Sequence, residues 1–315
     1  MKFNKAVKAV STAILYFLIY YAWMMAVMFG VVFSISFDAV MNFDLLTEMG
    51  ITAENMVDIT PELFTAISQK LAEQTLPAYL EFVTQYAVHL TLLAGALAII
   101  TYIIIFAVRK KSFAEKIGLR RIGILNGATA FVFGVSLNVF VTVLLSMIPW
   151  PESWMSEYEV LSEELIGGTG IIITLMVGIA APVLEEIIFR GMCYNSLKSG
   201  MPMLAAMILS SWGFGMMHAG ILWVIYATVI GIVLAWIYEK NNSILAPMLT
   251  HIGFNLMGQG ISILPEQPDS VYYLMMAASG LLCAVIVFYT VKTSKYKIQY
   301  VMPQIAGDDS SADKL

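Results

Sequence analysis

Long runs without a charge alternate along this chain with short stretches crowded with charges. Ser11–Phe37, Phe82–Val108, Ile122–Trp150 and Leu165–Leu184 contain no Asp, Glu, Lys or Arg. Ser199–Tyr238 is a 40-residue uncharged run, long enough for two spans of about 20 residues each. Asn241–Pro265 and Val271–Val291 complete the pattern. Main-chain polar groups in hydrocarbon have to be satisfied within their own segment, so these runs predict helices. The expected fold is all-α, a polytopic membrane bundle of about eight transmembrane helices.

The charged stretches orient that bundle. Lys2, Lys5 and Lys8 precede the first span, and residues 38–81 are mostly acidic. Arg109, Lys110, Lys111, Lys116, Arg120 and Arg121 follow the second span, and the next loop is acidic from Glu152 to Glu164. Lys198, Lys240, and then Lys292, Lys295 and Lys297 follow the fourth, sixth and eighth spans. The positive-inside rule places both termini in the cytoplasm, and one missed span would invert every later loop. The chain then divides into a cytoplasmic N-terminus over 1–10, a membrane domain over 11–297 and a disordered cytoplasmic tail over 298–315. Within an outer loop over 38–81, Thr60 can cap a short surface helix. Pro61 suits its first position, and Leu63, Phe64, Ile67 and Leu71 form one apolar face.

Composition agrees. Of 315 residues 59% are hydrophobic and 12% charged, against about a quarter charged in soluble domains. The net charge of −5 includes no basic stripe, so nucleic acid is not an expected partner; membrane lipid is. Cys193 and Cys283 both sit in apolar context, which is neither a disulfide framework nor a zinc spacing. No internal repeat suggests an inverted-repeat transporter.

Against this background, "APVLEEIIFRG" (Ala181–Gly191) stands out, because Glu185 and Glu186 adjoin an apolar span with no loop between. An ionisable group at membrane depth is costly and marks function by default. Glu186 and Arg190 are four apart and share a helix face, while Glu185 points about 100° away. Glu186 is therefore expected to be neutralised by Arg190, leaving Glu185 free to act as a general base. The bland alternative is an ion-pair cluster at the cytoplasmic end of the fourth span. Pro182 frees the Gly178 carbonyl one turn earlier, where a kink could admit water.

Two further stretches carry polar side chains at helical spacing. In "SWGFGMMHAG", His218 follows Phe214 by four, and Gly213, Gly215 and Gly220 allow close helix approach. In "LTHIGFNLMG", His251 and Asn255 project from one face and could hold a carbonyl oxygen or a water. Taken singly, each reads as an interior hydrogen-bonded residue. His89, in the second span, has no such companions and reads as structural. Together, a carboxylate pair, a His, and a His plus Asn on three helices match metal-free or metal-assisted water activation for peptide hydrolysis.

"EEIIFR", "FGMMH" and "HIGFN" fit E-E-x-x-x-R, F-x-x-x-H and H-x-x-x-N. In this order, each on a membrane helix, they resemble the CPBP family (also called Abi) of intramembrane proteases: CAAX prenyl endopeptidases of the second type and their bacterial relatives. The resemblance covers roughly Gly167 to Gly260, and it marks 165–260 as a CPBP-like catalytic core around a cavity open to the cytoplasm. It implies Glu185 as general base with His218 as its partner, and His251 with Asn255 as the oxyanion hole. Glu186, Arg190 and Phe214 would be structural support. It implies a multi-pass plasma-membrane endopeptidase of bacterial type acting on protein or peptide substrates, lipidated ones included. The glutamate mechanism needs no metal and is favoured. The alternative is zinc held by Glu185, His218 and His251, since such families are often named metalloproteases, although H-E-x-x-H is absent. Two other readings stand beside the enzyme: a non-catalytic immunity or regulatory protein of the same family, and a proton-coupled transporter using Glu185.

The motifs meet only if the fifth span is irregular. In straight helices starting near Ser199 and Asn241, His218 would lie ~28 Å and His251 ~15 Å along their axes. The fifth span must tilt, start late, or break near its glycines.

Overall fold

The computed structural model describes residues 2–41, 60–167, 171–261 and 268–294. The central part of the outer loop, over 42–59, and the tail over 298–315 lie outside the described residues. All regular structure among the described residues is helical. We number ten helices: α1 (Lys2–Met41), α2 (Pro61–Val108), α3 (Phe113–Ile117), α4 (Ile124–Met147), α5 (Glu152–Gly167), α6 (Ile171–Lys198), α7 (Met203–Gly215), α8 (Ile221–Asn241), α9 (Leu245–Ile261) and α10 (Asp269–Thr293). Six are long and apolar enough to cross a membrane: α1, α2, α4, α6, α8 and α10. At 13 residues, α7 is shorter. The protein is a polytopic helical membrane bundle.

Two compact units divide the chain: Leu18–Thr101, and Met1–Phe17 together with Tyr102–Leu315. In the first, Trp23 donates its indole N–H to Thr101 Oγ1 at 2.9 Å, and His89 lies against the Tyr86 ring. In the second, the start of α1 is held by Tyr102, whose hydroxyl donates to Tyr16 O at 2.6 Å, and by Phe17, whose ring meets Phe189.

The core of the larger unit is α9, which packs against α4, α6 and α8. Its approach to α4 is backbone against backbone. A Cβ added to Gly134 would collide with the Thr250 carbonyl, and one added to Gly253 with the Phe131 carbonyl. Glycine at both positions is therefore a steric requirement, the device by which membrane helices approach closely. Thr250 uses that closeness to donate its hydroxyl to Ala130 O across the seam at 3.0 Å.

Two elements differ from the expectation. The helix starting at Pro61 is capped by Thr60 as read, its Oγ1 accepting from Leu63 N–H. It is not a separate surface helix, however, since it runs unbroken to Val108 as α2. Pro77, inside it, bends a helix locally without having to end it. The acidic stretch after Trp150 is not a loop but the 16-residue helix α5. Its half-buried Trp154, Met155, Tyr158, Leu161 and Ser162 recur at helical spacing. The 40-residue uncharged run, by contrast, starts late and breaks at its glycines as expected. α7 starts at Met203 and stops at Gly215, and after a turn α8 starts behind Gly220, whose φ of +79° belongs to the region that favours glycine.

Candidate active site

The site is assembled from α6, α9 and the turn between α7 and α8. α6 is unusual along its length, because wide π turns occupy Met176–Ala180 and Ile187–Tyr194 on either side of a short α segment, Ala181–Glu186. In the first of these the Ala181 N–H bonds Met176 O, five residues back. That register leaves Val177 O without the Ala181 donor, and the next residue, Pro182, has no N–H to offer. The sequence places the carbonyl freed by Pro182 at Gly178; the π register opens Val177 O as well. Asn255 on α9 fills the gap, donating from Nδ2 to Val177 O at 3.0 Å. π turns inside helices are frequent at functional sites.

Glu186 and Arg190 pair at 2.7 Å, and both side chains are fully buried. The Arg190 guanidinium also donates to Gly231 O on α8 at 3.0 Å and lies 4.7 Å over the Phe214 ring. Gly231 matters here because a Cβ there would crowd Arg190 Nη2 and Ser211. On the other side, Glu186 Oε1 accepts from His251 Nδ1 at 3.0 Å. This fixes the tautomer: with Nδ1 carrying the hydrogen toward a carboxylate, a neutral His251 presents a bare Nε2. Glu185 lies at that end of the ring, its Oε2 3.6 Å from Nε2, with 28% of its side chain exposed.

His218 occupies the turn after Gly215 rather than a helix. Its ring still meets Phe214, at 4.9 Å between centroids, and its Nδ1 donates to Phe214 O at 3.1 Å. A carbonyl can only accept, so the neutral ring again has a bare Nε2. Phe214 also sits edge-on to His251 at 5.8 Å, which makes it the spacer between the two imidazoles. His218 interacts electrostatically with both Glu185 and His251. His251 Nε2 lies within 4 Å of Glu185, so both imidazoles are near that carboxylate.

All seven residues singled out in the sequence thus come to one region: Glu185, Glu186, Arg190, Phe214, His218, His251 and Asn255. Sequence reasoning missed the aromatic wall beside them. Trp223 packs against His218, and Tyr226 against Trp223, with Tyr158 from α5 touching both. Tyr226 also interacts electrostatically with Glu185. Only the half-buried face of α5 could have signalled this, and the acidic residues around it masked the signal. As to zinc, no three His, Cys, Asp or Glu side chains among the described residues gather as metal ligands would.

Fold and site together define a polytopic membrane protein with a buried carboxylate, guanidinium and imidazole cluster in its helical core. Comparison with known proteins places that core. The family model described as type II CAAX prenyl endopeptidase Rce1-like matches residues 167–257, the segment holding all three motifs, so the resemblance read from them is borne out. The chain is 27% identical over 142 residues to UPF0177 protein YxdF of Lactococcus lactis subsp. lactis (strain IL1403), covering 44% of this chain and 76% of that protein. It is 33% identical over 85 residues to YdiL of Bacillus subtilis (strain 168), named as a candidate membrane peptidase, covering 27% of this chain and 34% of that protein. No solved structure matches the chain.

Proposed function

We propose that the protein is an intramembrane endopeptidase that hydrolyses a peptide bond with a water activated by Glu185. One observation carries this reading: of two adjacent carboxylates, Glu186 is fully buried and bound by Arg190 and His251, while Glu185 is part-exposed and, among the described residues, forms no ion pair with an arginine or lysine. A fully buried ion pair is scaffolding, whereas a part-exposed carboxylate outside that pair is available as a base. The match of residues 167–257 to an endopeptidase family, and of part of the chain to a candidate membrane peptidase, supports the same reaction class.

Glu185 Oε2 and the bare Nε2 of His251 are both acceptors, 3.6 Å apart. A water seated beside them and donating one hydrogen to each would satisfy both. In the proposed reaction Glu185 takes a proton from that water as its oxygen attacks the substrate carbonyl, then delivers it to the departing amine. His218, with its own bare Nε2, supports Glu185 as a second base. Asn255 uses one amide N–H on Val177 O and has a second for the developing oxyanion. His251 joins it as a donor once it carries a proton on Nε2. No step passes through a metal.

The test uses the full-length protein in lipid vesicles with a panel of lipidated and apolar helical peptides, in water enriched in oxygen-18. Hydrolysis is expected to give two fragments, with one heavy oxygen in the new carboxylate. Binding of peptides without any cleavage would instead favour the non-catalytic reading.

A further inference from the structure

Away from the site just described, a cavity of about 210 Å³ opens among the start of α4, the end of α8 and the end of α10. Its chemistry is divided. Arg121, Lys240 and Asn126 line it, and Phe133, Ile237 and Ile286 make up an apolar part of the same lining. No carboxylate lines it, and among the described residues neither cation has an ion-pair partner. The amino end of α4 lines the same space through Gly123. That end has no side-chain cap and no acidic residue in its first turn, so its free N–H groups add to the positive field. Arg121 and Lys240 also belong to stretches that the positive-inside rule assigns to the cytoplasmic face, where the leaflet is anionic.

We propose that this cavity is a phosphate-binding site and that its natural occupant is the headgroup of an anionic phospholipid. Two unpaired cations and a bare helix start recognise the phosphate. The apolar part, continuous with a core of Ala130, Phe133, Ile237, Ala246 and Ile286, suits the first carbons of an acyl chain better than a wholly hydrated anion. Basic pockets between membrane helices on the cytoplasmic side are the recurrent form of such sites. The inference is independent of any peptidase activity.

Native mass spectrometry and thermal unfolding of the full-length protein in detergent test it. The probes are phosphatidylglycerol, diacylglycerol (the same chains without phosphate) and inorganic phosphate. The wild type is expected to retain phosphatidylglycerol and not diacylglycerol. Arg121→Gln combined with Lys240→Gln is expected to weaken retention by about thirtyfold, the joint worth of two cations at an anionic lipid surface. The charge-keeping pair Arg121→Lys with Lys240→Arg is expected to restore it, and unfolding without lipid establishes that each variant folds. Lys8→Gln with Lys111→Gln, exposed basic residues outside the cavity, should change little. Equal retention by wild type and the Gln pair, or an equal loss in the Lys8 and Lys111 control, would overturn the site. Stabilisation by inorganic phosphate as large as that by the lipid would keep the phosphate site but overturn the lipid as its occupant.

Discussion

Glu185 and Glu186 are neighbours in the chain and opposites in environment. The two nitrogens of one imidazole face them, His251 Nδ1 at 3.0 Å from Glu186 and Nε2 at 3.6 Å from Glu185. One carboxylate anchors the ring and the other shares its open end. This separates scaffold from reagent within two residues.

The scaffold half has a direct consequence for stability. Removing one partner of a buried ion pair leaves the other uncompensated, at a cost of about 3–5 kcal/mol. Glu186→Gln is therefore expected to lower the unfolding temperature in detergent far more than Glu185→Gln, whose position is part-exposed. Equal losses would mean that the two carboxylates are not divided in this way.

Asn255 does two jobs in the proposed reaction, and they can be separated. Asn255→Ala removes the donor to Val177 O, so some stability is lost. It also removes an oxyanion donor, which is expected to lower kcat by about 10²–10³ with little change in KM. A lowered unfolding temperature with unchanged kcat per folded molecule would leave Asn255 a purely structural residue.

Metal dependence follows from the placement of the side chains. Because the proposed steps use only Glu185, His218, His251 and Asn255, cleavage is expected to survive exhaustive chelation. Activity lost to chelator and regained with zinc would show that the three potential ligands rearrange around an ion.

Lys116, on the short helix α3, gives a pH signature unrelated to catalysis. Burial pushes its ammonium down from the ordinary 10.5 to about 8, although it donates to Ser196 Oγ at 2.8 Å. Between those values the unfolded chain holds the proton and the folded chain does not, so stability rises with pH across that window. The penalty is complete below pH 8 and vanishes above 10.5. Relative to Lys116→Met, which carries no such proton, the wild type is expected to gain in unfolding temperature from pH 8 to 10.5. A constant difference would place Lys116 in water.

Much of this was legible from residue spacing. The four-residue interval between Glu186 and Arg190 predicts their pairing because a helix brings those positions together. The contact survives even though π turns begin between them. The glycines around His218 likewise marked the break that the depth mismatch demanded. What spacing could not show was register. Wide turns insert a residue without any signal in an apolar run, so the opening of Val177 O to Asn255 had no sequence signature. Nor could it show how near each imidazole comes to Glu185, since that depends on how α9 threads between α4, α6 and α8. α5 was hidden for a different reason: its acidic residues dominate the composition of a stretch whose half-buried face carries Trp154 and Tyr158.

The central claim is that Glu185 is the base. The most direct measurement is the rate of peptide cleavage by vesicle-reconstituted wild type and Glu185→Gln, a change that removes the charge and almost nothing of the shape. Cleavage is expected to fall by about 10²–10⁴, the usual worth of a general base, with the variant as stable as the wild type. Equal rates from the two proteins would contradict it.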